Sequence, residues 1–152
     1  MNKIQFTKDG FKQLQVELDD LQKVRRPAAV DRLGRARAMG DLSENSEYTA
    51  AKEDLAFVEG RIQEIEELMK NAEIIDVKAH DGISIGVEVT VEKDGKEETY
   101  SIVGEFEADP ILKKLSATSP IGRALIGKKE GDMVEVEVPA GKLKYKIIKI
   151  KK

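Results

Sequence analysis

The sequence predicts an α+β protein in two parts. An N-terminal antiparallel coiled-coil helical hairpin occupies residues 1–75, and an antiparallel β-sheet domain with one or two short helices occupies 76–152. Three observations predict this. Tyr48, Ala51, Leu55, Val58, Ile62, Ile65 and Met69 recur at alternating three- and four-residue spacing, which keeps one apolar stripe on one helix face. Phe11, Leu14, Leu18, Leu21, Val24, Ala28 and Leu33 offer a matching stripe over roughly 30 residues, a rod of about 45 Å at about 1.5 Å per residue. Beyond Val77 the period drops to two, the signature of strands.

The first helix is expected to start at Thr7, whose hydroxyl can cap it. Pro27 removes a backbone donor and crowds the preceding turn, so a kink is predicted near Arg25, Arg26 and Pro27. Gly40 supplies the left-handed residue that closes a helix, and Asp41 can cap the next one, which should run to about Asn71. Residues 74–77 read as a strand or linker. Ile83, Ile85, Val87, Val89 and Val91 then alternate as a strand, with a hairpin turn at Asp94 and Gly95 before Thr99 to Val103. Ser119, Pro120 and Gly127 bracket one short helix by cap, first-turn proline and closing glycine, and a second is predicted around Ile111 to Leu115. Val134 to Val138 and Leu143 to Ile150 complete the sheet.

Composition narrows the function. There is no cysteine, which excludes disulfides, thiol catalysis and cysteine-type zinc sites. No apolar run approaches the roughly 20 residues of a membrane span, and Met1 to Gln5 lack the apolar core of a signal peptide, so the cytoplasm is the expected compartment. Residues 1–76 carry 12 basic and 16 acidic side chains and residues 77–152 carry 14 and 13. Neither half is basic enough to bind free nucleic acid by charge alone.

The turn between the arms holds Asp41 and Glu44, three residues apart, with Glu47 three further on. One reading is structural: Asp41 and Glu44 form a capping box, favoured also by the helix dipole. The other is chemical. Two carboxylate ligands suit Mg²⁺, which is held by one or two carboxylates with water and phosphates in its other positions, so the turn would need a partner to complete a site.

The run from Gly40 to Glu53, together with Val24 to Pro27, Glu59 to Ile62 and Ser119 to Gly127, resembles the Gre family of bacterial transcript-cleavage factors in residues, order and spacing, and most closely its GreA type. The resemblance covers essentially the whole chain. It implies that the hairpin enters the secondary channel of bacterial RNA polymerase, where Asp41 and Glu44 help hold a second Mg²⁺ and orient the attacking water. The polymerase then hydrolyses the backtracked 3′ end of its nascent RNA. On this resemblance the protein has no enzymatic activity and no cofactor of its own, Mg²⁺ being held jointly with RNA polymerase. The resemblance also implies that the sheet domain is FKBP-like and docks on the polymerase, with Ser119, Pro120 and Ile121 part of the docking surface. A monomer is expected.

Arg32, Arg35 and Arg37 near the turn, with Lys52 facing them, read either as a solvated face balancing Glu47, Glu53 and Asp54 or as a patch holding the RNA 3′ segment by its phosphates. Tyr48 is a seam residue that could also stack on the transcript. His80 stands in a turn with no second ligand near in sequence. Two rival functions follow from the same features. A peptidyl-prolyl isomerase, suggested only by the FKBP-like fold, would need an aromatic-lined pocket, whereas the second half offers just Tyr100, Phe106 and Tyr145 and no tryptophan; a coiled-coil adaptor would use the turn carboxylates only as caps.

Overall fold

The computed structural model describes residues 3–41, 44–77 and 81–152, and His80 lies outside them. The chain divides into two compact units: Lys12–Asn71, and the residues up to Phe11 together with Ala72–Lys152.

The first unit is the helical hairpin. Its first arm runs through α1 (Lys8–Asp20), a π-helical turn (Leu21–Arg25) and α2 (Arg26–Arg37), and its second is α3 (Ser46–Lys70). The Thr7 hydroxyl accepts from the Gly10 amide at 2.9 Å, the predicted cap. Proline is accommodated by widening the preceding turn, so that Arg26 donates to Leu21, five residues back, and the helix continues past Pro27. This corrects the predicted seam. The wide turn absorbs one extra residue, so the buried line is Leu14, Leu21, Ala29 and Ala36, with spacings of seven, eight and seven. Val24 is 60% exposed and Ala28 is exposed, one position out of register; Leu18 and Leu33 are half-buried. On α3 the buried residues are Ala51, Val58, Ile62, Ile65 and Leu68, with Tyr48, Leu55 and Met69 half-buried. Alanines at three of these positions let α2 and α3 approach closely towards the turn.

Arg61 on α3 forks onto Glu17 on α1, Nε to Oε2 at 2.7 Å and Nη2 to Oε1 at 2.9 Å. The Arg61 hydrogen bonds hold the Glu17 carboxyl below its usual range, against the opposing effect of partial burial. A carboxyl whose pKa is depressed by folding contributes stability that is present above its unfolded value and lost as pH falls through the folded value. Wild type is therefore expected to exceed Glu17→Gln in stability at neutral pH by well under a buried pair's worth, and the gap should close below about pH 4. Urea unfolding of both proteins at pH 3 and pH 7 checks this; a gap that persists unchanged at pH 3 contradicts it.

The second unit contains two sheets. β1 (Ile4–Phe6) pairs in parallel with β2 (Ala72–Ile74), so the N-terminal residues belong with this unit, a pairing the sequence did not announce. Phe6 is fully buried. The Glu107 carboxylate, at the end of a 3-10 turn (Glu105–Glu107), accepts from the Thr7 and Gly104 amides at 2.9 and 3.0 Å and from the Thr7 hydroxyl. The main sheet comprises β3 (Glu88–Lys93), β4 (Lys96–Val103), β5 (Lys114–Ser116), β6 (Met133–Val138) and β7 (Gly141–Lys151) in the order β5-β4-β3-β7-β6. It is antiparallel except for the β4–β5 edge. Asp94 and Gly95 both take positive φ, as a two-residue hairpin turn of the mirror-image type requires. α4 (Pro120–Leu125) packs Leu125 into a core of Ile83, Val87, Val89, Ile102 and Ile147.

Two expectations fail here. Ile83, Ile85 and Val87 are buried, but the strand begins only at Glu88. Ile83 instead exchanges backbone hydrogen bonds with the loop after α4, accepting from Gly127 and donating to Lys128, both at 2.9 Å. The second short helix is absent: Asp109 and Lys114 pair across a turn in which Lys113 takes φ +55° and the Asp109 side chain accepts from the Ile111 amide at 3.0 Å. A left-handed residue and an aspartate turning on its own backbone compete with helix at this length.

Candidate functional site at the hairpin turn

The turn is built from the end of α2, Gly40 at φ +120°, and the start of α3. Its organising residue is Asn45. The Asn45 Oδ1 accepts from the Tyr48 amide at 3.0 Å, capping α3, while Nδ2 donates to the Ala36 carbonyl at 2.8 Å, which also accepts from the Met39 amide at 3.1 Å. One amide side chain thus ties both arms. The expected capping box of Asp41 with Glu44 is not what starts α3, because the helix begins five residues after Asp41. Asp41 and Glu44 are both exposed at the turn; Leu42 and Ser43 lie outside the described residues.

Asn45→Ala should cost about 1 to 2 kcal/mol of stability, since it removes the cap and one of the hydrogen bonds to the Ala36 carbonyl, which keeps the Met39 amide. Asn45→Asp keeps the acceptor but turns a carboxylate oxygen, in place of the donor, onto the Ala36 carbonyl, so it should recover only part of that. Equal midpoints for wild type and Asn45→Ala in denaturant unfolding would remove Asn45 from this role.

The basic residues beside the turn divide into two sets. Arg32 pairs with Glu47 at 2.6 Å and with Asp54 at 3.6 Å, and Arg35 pairs with Asp31 at 3.1 Å on its own helix. These two serve the hairpin's own charge balance. Arg37 and Lys52 instead sit over the Tyr48 ring, from opposite arms, with the guanidinium carbon 5.9 Å and the ammonium 5.5 Å from its centroid. A half-buried aromatic ring with two cations over it thus lies in the first turn of α3, three residues past Asn45.

In the sheet unit, the Ser119 hydroxyl donates to the Ser116 carbonyl at 2.7 Å and accepts from the Gly122 amide at 3.1 Å, the predicted cap. Pro120 is exposed, whereas Ile121 is half-buried and packs on the core. Of the expected docking residues, Pro120 is therefore the accessible one and Ile121 also has a structural role. The turn after Asp109 presents Ile111, 91% exposed, and Leu112, 61% exposed, two large apolar side chains that the sequence placed in a helix. The Asp-Pro pair preceding them is the turn signal that could have found them. For Asn45, the signal is an asparagine directly before a helix-forming run. Among the described residues no helix is long and apolar enough to cross a membrane.

Known proteins resemble this chain in sequence along both of its halves. Residues 4–74 match the family described as transcription elongation factor, N-terminal, and residues 78–152 match transcription elongation factor, GreA/GreB, C-term. The transcription elongation factor GreA of Thermoanaerobacter pseudethanolicus is 51% identical over 150 residues, covering 96% of each chain, and that of Lactococcus lactis subsp. cremoris is 49% identical over 148 residues, covering 95% of each. Among solved structures, GreA factor homolog 1 of Thermus thermophilus aligns over 99% of this chain and 100% of its own at 27% identity, with a TM-score of 0.47. With both halves matched in order and half of all residues shared across nearly the full length, this chain belongs to the GreA/GreB family of transcription elongation factors.

Proposed function

We propose that this elongation factor acts by stimulating the transcript-cleavage activity of RNA polymerase, with the hairpin entering the polymerase secondary channel and the turn reaching the active centre. The observation that carries the reading is the division of labour at the turn. Asn45 caps α3, and the exposed Asp41 and Glu44 carboxylates stand where two long arms end. Their chemistry fits Mg²⁺ as a shared ligand set: two hard oxygen donors fill a minority of an octahedral shell and leave the rest to polymerase carboxylates, water and phosphate. Among the described residues no three His, Cys, Asp or Glu side chains cluster closely enough to form a metal site. The ion would supply charge neutralisation at the scissile phosphate. Asp41 and Glu44 would help to hold it, and Glu44 could also order the attacking water.

Tyr48, Arg37 and Lys52 would hold the displaced RNA 3′ segment, the ring by stacking and the cations by phosphate contact. Arg32 and Arg35, already paired within the hairpin, contribute less. The loop fixed by Ser119, with Pro120 at its surface, would help dock the second unit on the polymerase. The deciding experiment is a cleavage assay on a backtracked elongation complex with and without this protein. Release of short 3′ RNA fragments only when polymerase and this protein are both present supports the reading; no acceleration of fragment release contradicts it.

A further inference from the structure

The core face of the main sheet does not end at α4. In the β3–β4 hairpin the register pairs Val89 with Tyr100, Val91 with Glu98 and Lys93 with Lys96, and residues paired in this way share one face. Val89 and Val91 are buried, so this is the core face, and it continues outward through Tyr100 and Glu98 to the lysines at the turn. Tyr145 on β7 closes the side of the resulting recess, which has a volume of about 410 Å³. That is within the range of sites that hold a small ligand or a large side chain.

The recess is chemically graded. Its floor is Val91 and the two tyrosine rings. The Tyr100 hydroxyl donates to Glu98 Oε2. Tyr145 is 7% exposed as a whole and lines the recess. Burial, and secondarily the Glu98 charge, raises the Tyr145 pKa, and burial followed by the Glu98 hydrogen bond pushes Tyr100 up to about 12, so both phenols stay neutral at physiological pH. The inner part of the recess therefore carries one negative charge, two phenolic oxygens and two ring faces. Lys93, Asp94 and Lys96 line it further out, at the Asp94–Gly95 turn, so the outer part carries two positive charges and one negative.

We infer that this recess is a second binding site of the protein, which takes an arginine side chain of a partner polypeptide carrying an acidic residue beside that arginine. A planar guanidinium can stack on the rings, fork to the Glu98 carboxylate and donate to the Tyr145 hydroxyl at once, which a lysine's point charge does less well. A carboxylate ligand in the inner position would face Glu98. The neighbouring acidic residue meets Lys93 and Lys96. The site is separate from the hairpin turn and does not depend on the cleavage reading.

The test uses the full chain and two blocked peptides, acetyl-Gly-Arg-Glu-Gly-amide and the same peptide with citrulline, the neutral isostere of arginine, in place of arginine. Amide chemical shifts are followed by NMR at low salt. The arginine peptide should give saturable shifts confined to residues 89–100 and the neighbourhood of Tyr145. The citrulline peptide, and the arginine peptide with Glu98→Gln protein, should bind at least tenfold more weakly; Tyr145→Phe, which keeps the ring, should weaken binding severalfold. Equal affinity for the two peptides, unchanged affinity in Glu98→Gln, or shifts that do not saturate would overturn the assignment.

Discussion

Asp41→Asn and Glu44→Gln are each expected to lower stimulated transcript cleavage by at least about tenfold, equivalent to about 1.4 kcal/mol of barrier, while leaving polymerase binding and protein stability close to wild type. Each change removes a negative charge at nearly constant size. Loss of a carboxylate ligand should weaken a shared Mg²⁺ in proportion to how few other ligands hold it. The stability part follows from Asn45. Because that residue caps α3, neither substitution removes the hydrogen bond to the Tyr48 amide; the exposed Glu44→Gln change falls within about 0.5 kcal/mol, and Asp41→Asn keeps the size and an acceptor oxygen for the contacts Asp41 makes. Two measurements separate the roles: fragment release from a backtracked complex, and the midpoint of urea unfolding. Normal cleavage by both variants would leave the carboxylates no part in the chemistry. Lost cleavage with a matching loss of stability would mean that they act as structural caps after all.

How much of this was legible in the sequence depends on the range of the interactions. The long arms, the Asp94–Gly95 hairpin and the Ser119 cap rest on contacts within a few residues, and each was readable from period, cap or turn chemistry. The errors arose where a distant partner decides. β1 exists because Ile4 to Phe6 meet Ala72 to Ile74, some 68 residues away, and three residues carry no period of their own. Ile83 to Val87 alternate like a strand, but their backbone is claimed by Gly127, Lys128 and Ile102. At the turn, Asp41, Ser43 and Asn45 are all good capping types, and sequence alone ranks them almost equally. Asn45 is the cap because it stands directly before α3, where its amide both accepts from Tyr48 and donates to Ala36. The basic patch was legible as a composition but not as a division. Only the positions of Glu47, Asp54 and Tyr48 show that Arg32 is consumed within the hairpin and that Arg37 and Lys52 face a ring.

The π turn leads to the second large effect. Deleting Val24 should cost about 3 kcal/mol in the wild-type background and almost nothing when Pro27 is replaced by alanine. The buried line Leu14, Leu21, Ala29, Ala36 is uneven only between Leu21 and Ala29, where the wide turn takes in one extra residue. Removing one exposed residue there makes every spacing seven, so the stripe would still face α3 in an ordinary α-helix, displaced along the axis by no more than about 1.5 Å. What an α-helical turn cannot do is accept Pro27, whose ring would meet the carbonyl four residues back; that clash and the lost hydrogen bond cost about 3 kcal/mol in a helix interior. In the wild type the widened turn avoids it. The deletion and Pro27→Ala should therefore be strongly coupled in a double-mutant cycle measured by denaturant unfolding. If deleting Val24 costs the same with proline or alanine at position 27, the extra residue serves something other than the proline, and the account of the seam given by the seven-eight-seven spacing fails.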